Sequence, residues 1–267
     1  MAADLDRLAE KPACYADLRE QVVLITGGGS GIGRGIAVRL AAEGMRVAIC
    51  GRRTEQLAET LSLLQAPAGA ALAHPCDLAR PEQVSELLEV VVSTLGPIDA
   101  CVHCAMNMKF VDLADMTQAV WDETFATACR AGYLLAQSVA PSMKARGRGA
   151  ILFISSVGAQ RSHLPGLPYD AAKAAQEAMT RALAIELGPF GIRVNTLSPG
   201  RIGVRVREGT RVDLATPHVP LRRSGTAAEV AAATAFFLSQ QSSYLTGQVL
   251  AVDGGLLAQL SLPGIWI

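Results

Sequence analysis

Two kinds of periodic segment alternate along the chain. Short runs in which nearly every position is apolar lie at Val22–Thr26, Arg46–Cys50, Ala70–Pro75, Ala100–Cys104, Ala150–Ser155, Arg193–Ser198 and Gln248–Val252. They are short for helices and lack the alternation of a half-exposed strand, so they read as strands covered on both faces. Between them, apolar residues recur at helical spacing in Gly31–Glu43, Pro81–Leu95, a long stretch around Trp121–Met143, Tyr169–Leu187 and Thr226–Leu238. Strands alternating with helices predict βαβ crossovers, and so an α/β fold built on a doubly wound parallel sheet with helices on both faces. No internal repeat, low-complexity tract or linker interrupts the pattern, so residues 1–267 read as one Rossmann-like domain with an N-terminal extension over residues 1–17. The least periodic segment is residues 201–220, rich in Arg and Gly. A loop there lies beyond the carboxyl ends of the strands, where open α/β sheets bind ligands, and is the expected substrate loop.

The turn from the first strand into the first helix reads Thr26-Gly27-Gly28-Gly29-Ser30-Gly31-Ile32-Gly33. Glycines there let the backbone turn sharply and approach a pyrophosphate, which meets the free N–H groups and positive end of the helix. A glycine string alone is weak evidence, but between an apolar strand and an amphipathic helix it has the context of a dinucleotide site. The second strand would then end in an acidic residue if the ligand were NAD. Here it ends Ile49-Cys50-Gly51-Arg52-Arg53. A carboxylate repels a 2′-phosphate and an arginine fork binds it, so NADP(H) is the expected cofactor, with a solvated helix start as the plainer alternative for the two arginines. The third strand runs into Cys76-Asp77-Leu78, where Asp77 can hold an adenine edge or cap the helix beginning near Pro81.

Tyr169-Asp170-Ala171-Ala172-Lys173 places a phenol and an ammonium on one helix face. A neighbouring ammonium stabilises a phenolate and should lower the phenol's pKa from its ordinary value near 10, making the pair fit for proton transfer. Ser156, just past an apolar strand, sits at the same edge of the sheet and could orient a substrate oxygen.

Composition narrows the partners. Lys plus Arg balance Asp plus Glu at 24 each, so no global field draws the chain to nucleic acid or to an anionic membrane. No apolar stretch approaches a membrane span, and the charged start MAADLDRLAEK lacks the apolar core of a secretory signal, so a cytoplasmic protein acting on a small molecule is expected. Half the residues are apolar, enough for a large core. The cysteines, Cys14, Cys50, Cys76, Cys101, Cys104 and Cys129, mostly lie in apolar runs and read as free thiols. Cys101 and Cys104 have metal-pair spacing but no second pair, so no metal is expected.

Taken together, TGGGSGIG, the Ser156/Tyr169/Lys173 arrangement, Arg193-Val194-Asn195 followed by Ser198-Pro199-Gly200, and the closing Tyr244-Leu245-Thr246-Gly247-Gln248 and Val252-Asp253-Gly254-Gly255 resemble the short-chain dehydrogenase/reductase family from about Leu18 to Gly255. The resemblance implies an oxidoreductase, a catalytic Ser156, Tyr169 and Lys173, and a lysine that also holds the nicotinamide ribose. It carries cofactor contacts onto Gly27, Gly29, Ser30, Gly31, Ile32, Gly33, Arg52, Arg53, Asp77, Leu78, Cys104, Ala105, Tyr169, Lys173, Pro199, Gly200 and Ile202. It also implies a homotetramer or homodimer, for which the apolar tail Leu256–Ile267 is a natural interface.

Three positions depart from that pattern. His103-Cys104-Ala105-Met106 stands where the family has Asn-Asn-Ala-Gly, Ala128 stands at the usual catalytic asparagine, and Val204 stands at the usual threonine after Pro-Gly. The strand position of His103 favours a structural histidine over a catalytic one. Without the asparagine, an alternative water or substrate group is expected to serve Lys173. Locally, the approach at Leu18-Arg19 and Cys104-Ala105 also resembles the dienoyl-CoA reductase branch. Carbonyl reduction with Tyr169 as proton donor is the leading expectation, with the reverse oxidation equally encoded. Enoyl or imine reduction, and a cofactor-binding protein whose catalysis has decayed, are the alternatives; Arg201, Arg205, Arg207 and Arg211 could receive an anionic substrate or simply face solvent.

Overall fold

The computed structural model describes residues 15–203 and 216–260. Among them, parallel strands β1 Val22–Thr26, β2 Arg46–Gly51, β3 Ala71–Pro75, β4 Ala100–His103, β5 Gly149–Ile154, β6 Ile192–Pro199 and β7 Val249–Val252 form one sheet in the order β3-β2-β1-β4-β5-β6-β7. The strand order reverses between β1 and β4, which opens a crevice at their carboxyl ends. Each expected strand is present within one or two residues of its sequence boundaries.

The unbroken apolar character of the central strands follows from burial on both faces. In β1, Val23 and Ile25 face one core with Ile36 and Leu40 of α1 (Gly31–Ala42), Leu57 of α2 (Thr54–Leu63) and Val230 and Phe237 of α7 (Ala227–Leu238). Val22 and Leu24 face the other, with Leu87 and Val91 of α3 (Pro81–Leu95), Leu135 and Met143 of α5 (Ala131–Arg146), and Leu187 of α6 (Leu167–Leu187). Helix α2 buries only Leu57 and Thr60, too thin a stripe to stand out in the sequence.

The long helix expected around Trp121–Met143 is two helices. A π-helical turn, Ala126–Arg130, joins α4 (Gln118–Phe125) to α5. Such a turn inserts an extra residue into the helix and takes carbonyls out of the regular ladder.

Two of the recognised motifs are structural fasteners. The Arg193 guanidinium donates to the carbonyls of Phe237 (2.6 Å), Leu238 (3.0 Å) and Ser239 (3.2 Å), satisfying the C-terminal end of α7. Asn195 donates to Leu245 O (2.8 Å) and accepts from Gln248 N (3.0 Å), tying β6 to the approach of β7. The base of the expected substrate loop is pinned as Ile202 bridges Gly225 and Gly225 N donates to Arg201 O (2.9 Å). Cys14, Val204, Arg205, Arg207, Arg211 and residues 261–267 of the tail lie outside the described residues. No described helix is long and apolar enough to cross a membrane.

Candidate active site

At the switch point, the main chain leaves β1 through Gly27 and enters α1 at Gly31, both at positive φ (70° and 55°). A Cβ on Gly27 would come within 2.9 Å of Ala105 Cα, and one on Gly33 would collide with the Gly27 carbonyl. These positions demand glycine because backbone packs on backbone there. Helix α1 starts at Ser30 without a side-chain cap, so its first N–H groups face the crevice unclaimed by a capping side chain. This cradle fits a pyrophosphate by shape and donor chemistry. Arg34, which the sequence reading passed over, braces the loop. Its guanidinium donates to Gly29 O (2.6 Å), Thr60 Oγ1 (2.9 Å) and Glu59 Oε2 (2.8 Å), fastening the glycine turn to α2.

Arg52 and Arg53 are exposed beyond β2, on the rim of the same cradle, and Arg53 Nη2 reaches Ser30 Oγ at 3.5 Å. Asp77 is not the cap of α3, whose N-cap is Arg80. Its carboxylate instead accepts from Ala79 N (3.1 Å), an Asx-type turn that shapes the chain after β3. Leu78 beside it is buried. Pro199 ends β6, and Gly200 packs so closely on Asp253 that a Cβ would sit 2.8 Å from its Cα.

The residues after β4 explain the altered His103-Cys104-Ala105 segment. Thr26 Oγ1 accepts from the backbone N–H of Cys104 and of Ala105, each at 3.1 Å, and so points its own proton at His103 Nδ1 (2.9 Å). His103 Nε2 must then donate to the Ala128 carbonyl, 3.0 Å away in the π turn. Both ring nitrogens are engaged, and burial pushes the imidazole down to about 4, so His103 is neutral and ties β1, β4 and the π turn together. Burial also pushes the Cys101 thiol up to about 12 and Cys104 up to about 11. No group of three or more His, Cys, Asp or Glu among the described residues is placed to hold a metal ion.

Tyr169 and Lys173 share the face of α6 turned to the crevice, with the ammonium 5.8 Å from the phenol ring centroid. Lys173 is fully inside the protein, and its Nζ donates to Ile154 O (2.7 Å) and Gln176 Oε1 (3.1 Å). Burial pushes the ammonium down to about 8. The phenol moves the opposite way from the sequence expectation: burial raises it, and a hydrogen bond from Ser156 only partly offsets this. Desolvation dominates over the Ser156 hydrogen bond in the cofactor-free chain, so Tyr169 is a protonated phenol at neutral pH. Ser156 is buried at the end of β5 with its hydroxyl accepting from Gly158 N (3.1 Å). The site thus gathers Ser156, Tyr169 and Lys173 at one edge of the sheet.

Its outer wall was not visible in the sequence. Phe110, His163 and Tyr169 form a ring cluster with centroids 5.5 to 5.8 Å apart. The buried Asp170 carboxylate holds His163 through Nδ1 (2.7 Å) and its backbone N–H (2.6 Å). The only sequence signal was an acidic residue next to the tyrosine.

Comparison with known proteins fits this geometry. The family model described as enoyl-(acyl carrier protein) reductase matches residues 27–257. The pig protein named dehydrogenase/reductase SDR family member 4 is 34% identical over 250 residues, covering 91% of this chain and 89% of its own. The chain belongs to the short-chain dehydrogenase/reductase family. Within it, the mouse (3R)-3-hydroxyacyl-CoA dehydrogenase is 34% identical over 252 residues, covering 90% of this chain and 97% of that protein. A solved structure named as a short chain dehydrogenase/reductase family protein superposes with a TM-score of 0.82 at 33% identity, over 91% of this chain and 100% of the other. The protein is therefore a hydride-transferring oxidoreductase that uses a nicotinamide cofactor.

Proposed function

We propose that this short-chain dehydrogenase/reductase is an NADPH-dependent carbonyl reductase acting on a small organic substrate. The observation that carries the reading is the meeting of a protonated phenol, a buried ammonium and a serine hydroxyl at the mouth of the dinucleotide crevice. The cofactor, when bound, supplies the hydride. Ser156 orients the carbonyl oxygen and Tyr169 gives it a proton, which a raised phenol pKa suits in the reductive direction. Lys173 holds the phenol's surroundings positive, stabilising the phenolate left behind, and its third N–H is available to the nicotinamide ribose. Arg52 and Arg53, exposed just past β2 where no acidic residue ends the strand, receive the 2′-phosphate and set the preference for NADPH.

Support for oxygen-bearing carbon as the target comes from the mouse relative, named for dehydrogenation of a hydroxyacyl thioester. Reduction of a conjugated alkene is the second reading, favoured by the enoyl reductase description of the matching family model. An enone offered with NADPH separates the two, since an allylic alcohol follows from the first and a saturated ketone from the second. Exposed Tyr133 and Trp121 near the junction of α4 and α5, with Leu250 on the open edge strand β7, support assembly into a dimer or tetramer.

A further inference from the structure

Among the described residues, no carboxylate forms an ion pair with the Lys173 ammonium. The titratable groups that face it are Tyr169 on its own helix, His103 and Cys104 at the end of β4, and Cys129 in the π turn. All are uncharged near neutral pH: His103 is pushed down to about 4, Cys104 and Cys129 up to about 11, and the phenol is raised. Among the described residues, the ammonium donates to two neutral oxygens, Ile154 O and Gln176 Oε1. Gln176 is itself completely buried and bonded at both ends of its amide, since Nε2 donates to Ala128 O at 2.9 Å. Its two neighbours require the same orientation. An ammonium can only donate, so Oε1 must face Lys173, and a carbonyl can only accept, so Nε2 must face Ala128.

We infer that Gln176 is the positioning residue that holds the Lys173 ammonium, its amide spanning from lysine to the Ala128 carbonyl where this chain lacks an asparagine side chain. This rests on the proposed partnership of Lys173 with Tyr169. The group that holds the Lys173 ammonium is therefore part of the protein, a role separate from the water or substrate group expected to deliver protons. The bridge is a clamp and not a proton wire. Ala128 O receives hydrogen bonds from both Gln176 and His103, and a carbonyl fed from two sides passes no proton between them. Protons must reach Tyr169 from the open side of the crevice. The clamp also changes what an asparagine at Ala128 would do. Ala128 is fully buried, so a larger side chain there must displace its packed neighbours while its carbonyl stays bonded to Gln176.

The test uses substitutions whose effects on Lys173 have opposite signs. Gln176→Leu removes the acceptor from the ammonium and should lower the lysine midpoint by about one pH unit, the scale of a hydrogen bond to a charged group. Gln176→Glu adds a carboxylate and should raise it by about one unit or more. The midpoint is read in the cofactor-free protein from the side-chain nitrogen resonance of isotope-labelled Lys173 by NMR. In parallel, the alkaline limb of NADPH-dependent turnover should shift down for Leu and up for Glu. Gln176→Val combined with Ala128→Asn, which offers an amide from the opposite side, should return the midpoint toward that of the unaltered protein. If the Leu variant does not fold, Gln176→Asn replaces it, because its shorter amide cannot span both partners. Loss of packing alone would weaken turnover without moving the midpoint in opposite directions. Unmoved midpoints, or a shift of the same sign in Leu and Glu, would overturn the inference. Opposite NMR shifts with an unmoved activity profile would uphold the clamp and refute the role proposed for Lys173 in the reaction.

Discussion

Replacing His103 by Asn should remove a specific part of the protein's sensitivity to acid. In the folded chain the imidazole titrates near 4, depressed first by burial and second by the nearby Lys173 charge, against about 6.5 in the unfolded chain. Protonation is opposed by geometry as well, because Thr26 Oγ1 already accepts two backbone N–H groups and would have to accept a third proton. The unfolded chain therefore binds this proton more readily than the folded one. The resulting stability is fully present above about pH 6.5 and is lost as the pH falls through 6.5 toward 4. At pH 4.5 the two affinities differ enough to cost about 2 to 3 kcal/mol relative to pH 7.5. Urea denaturation of the unaltered protein and of His103→Asn at both pH values measures it. Other groups titrate equally in both proteins, so the difference between their pH slopes isolates His103. The Asn variant should lose about 2 to 3 kcal/mol less on acidification. Parallel slopes would refute the assignment of a buried neutral imidazole.

Cofactor titration should show NADPH binding at least tenfold tighter than NADH, equivalent to about 1.4 kcal/mol, and Arg52→Ala should erase most of that margin; an unchanged preference would remove Arg52 from the phosphate site. Truncating Arg193 to Ala removes the guanidinium from three carbonyls at the end of α7, of which those of Phe237 and Ser239 keep Ser242 as a donor, and should cost about 1 to 2 kcal/mol in urea denaturation while leaving cofactor affinity intact. Light scattering at micromolar concentration should give a dimer or tetramer mass, and a monomer would count against the exposed apolar groups on α4, α5 and β7 as an interface.

The centre of the sheet was legible because β1, β2, β4, β5 and β6 are buried on both faces and so announce themselves as solid apolar runs, while the edge strands β3 and β7 are only partly covered; Pro81–Leu95 was legible to the residue because proline opens it and Gly96 closes it. Tyr169, Lys173 and the glycine turn carry chemistry in their spacing. What escaped was interaction between distant segments. Gln176 looks like any polar residue on a helix until Ala128 and Lys173 are brought to either end of its amide, although the polar stripe Lys173, Gln176, Glu177 and Thr180 on a buried face was a usable signal. The π turn escaped because one extra residue barely disturbs helical periodicity. Burial of the phenol was invisible for a related reason: the lysine beside it is read from spacing, whereas desolvation is read only from packing.

The central claim is tested most directly by following NADPH oxidation with a panel of ketones, using the unaltered protein and its Tyr169→Phe variant, alongside a cofactor titration of each. The account predicts turnover by the unaltered protein, a loss of about 100-fold or more in the Phe variant, and similar NADPH affinity for both. A Phe variant as fast as its parent would contradict it.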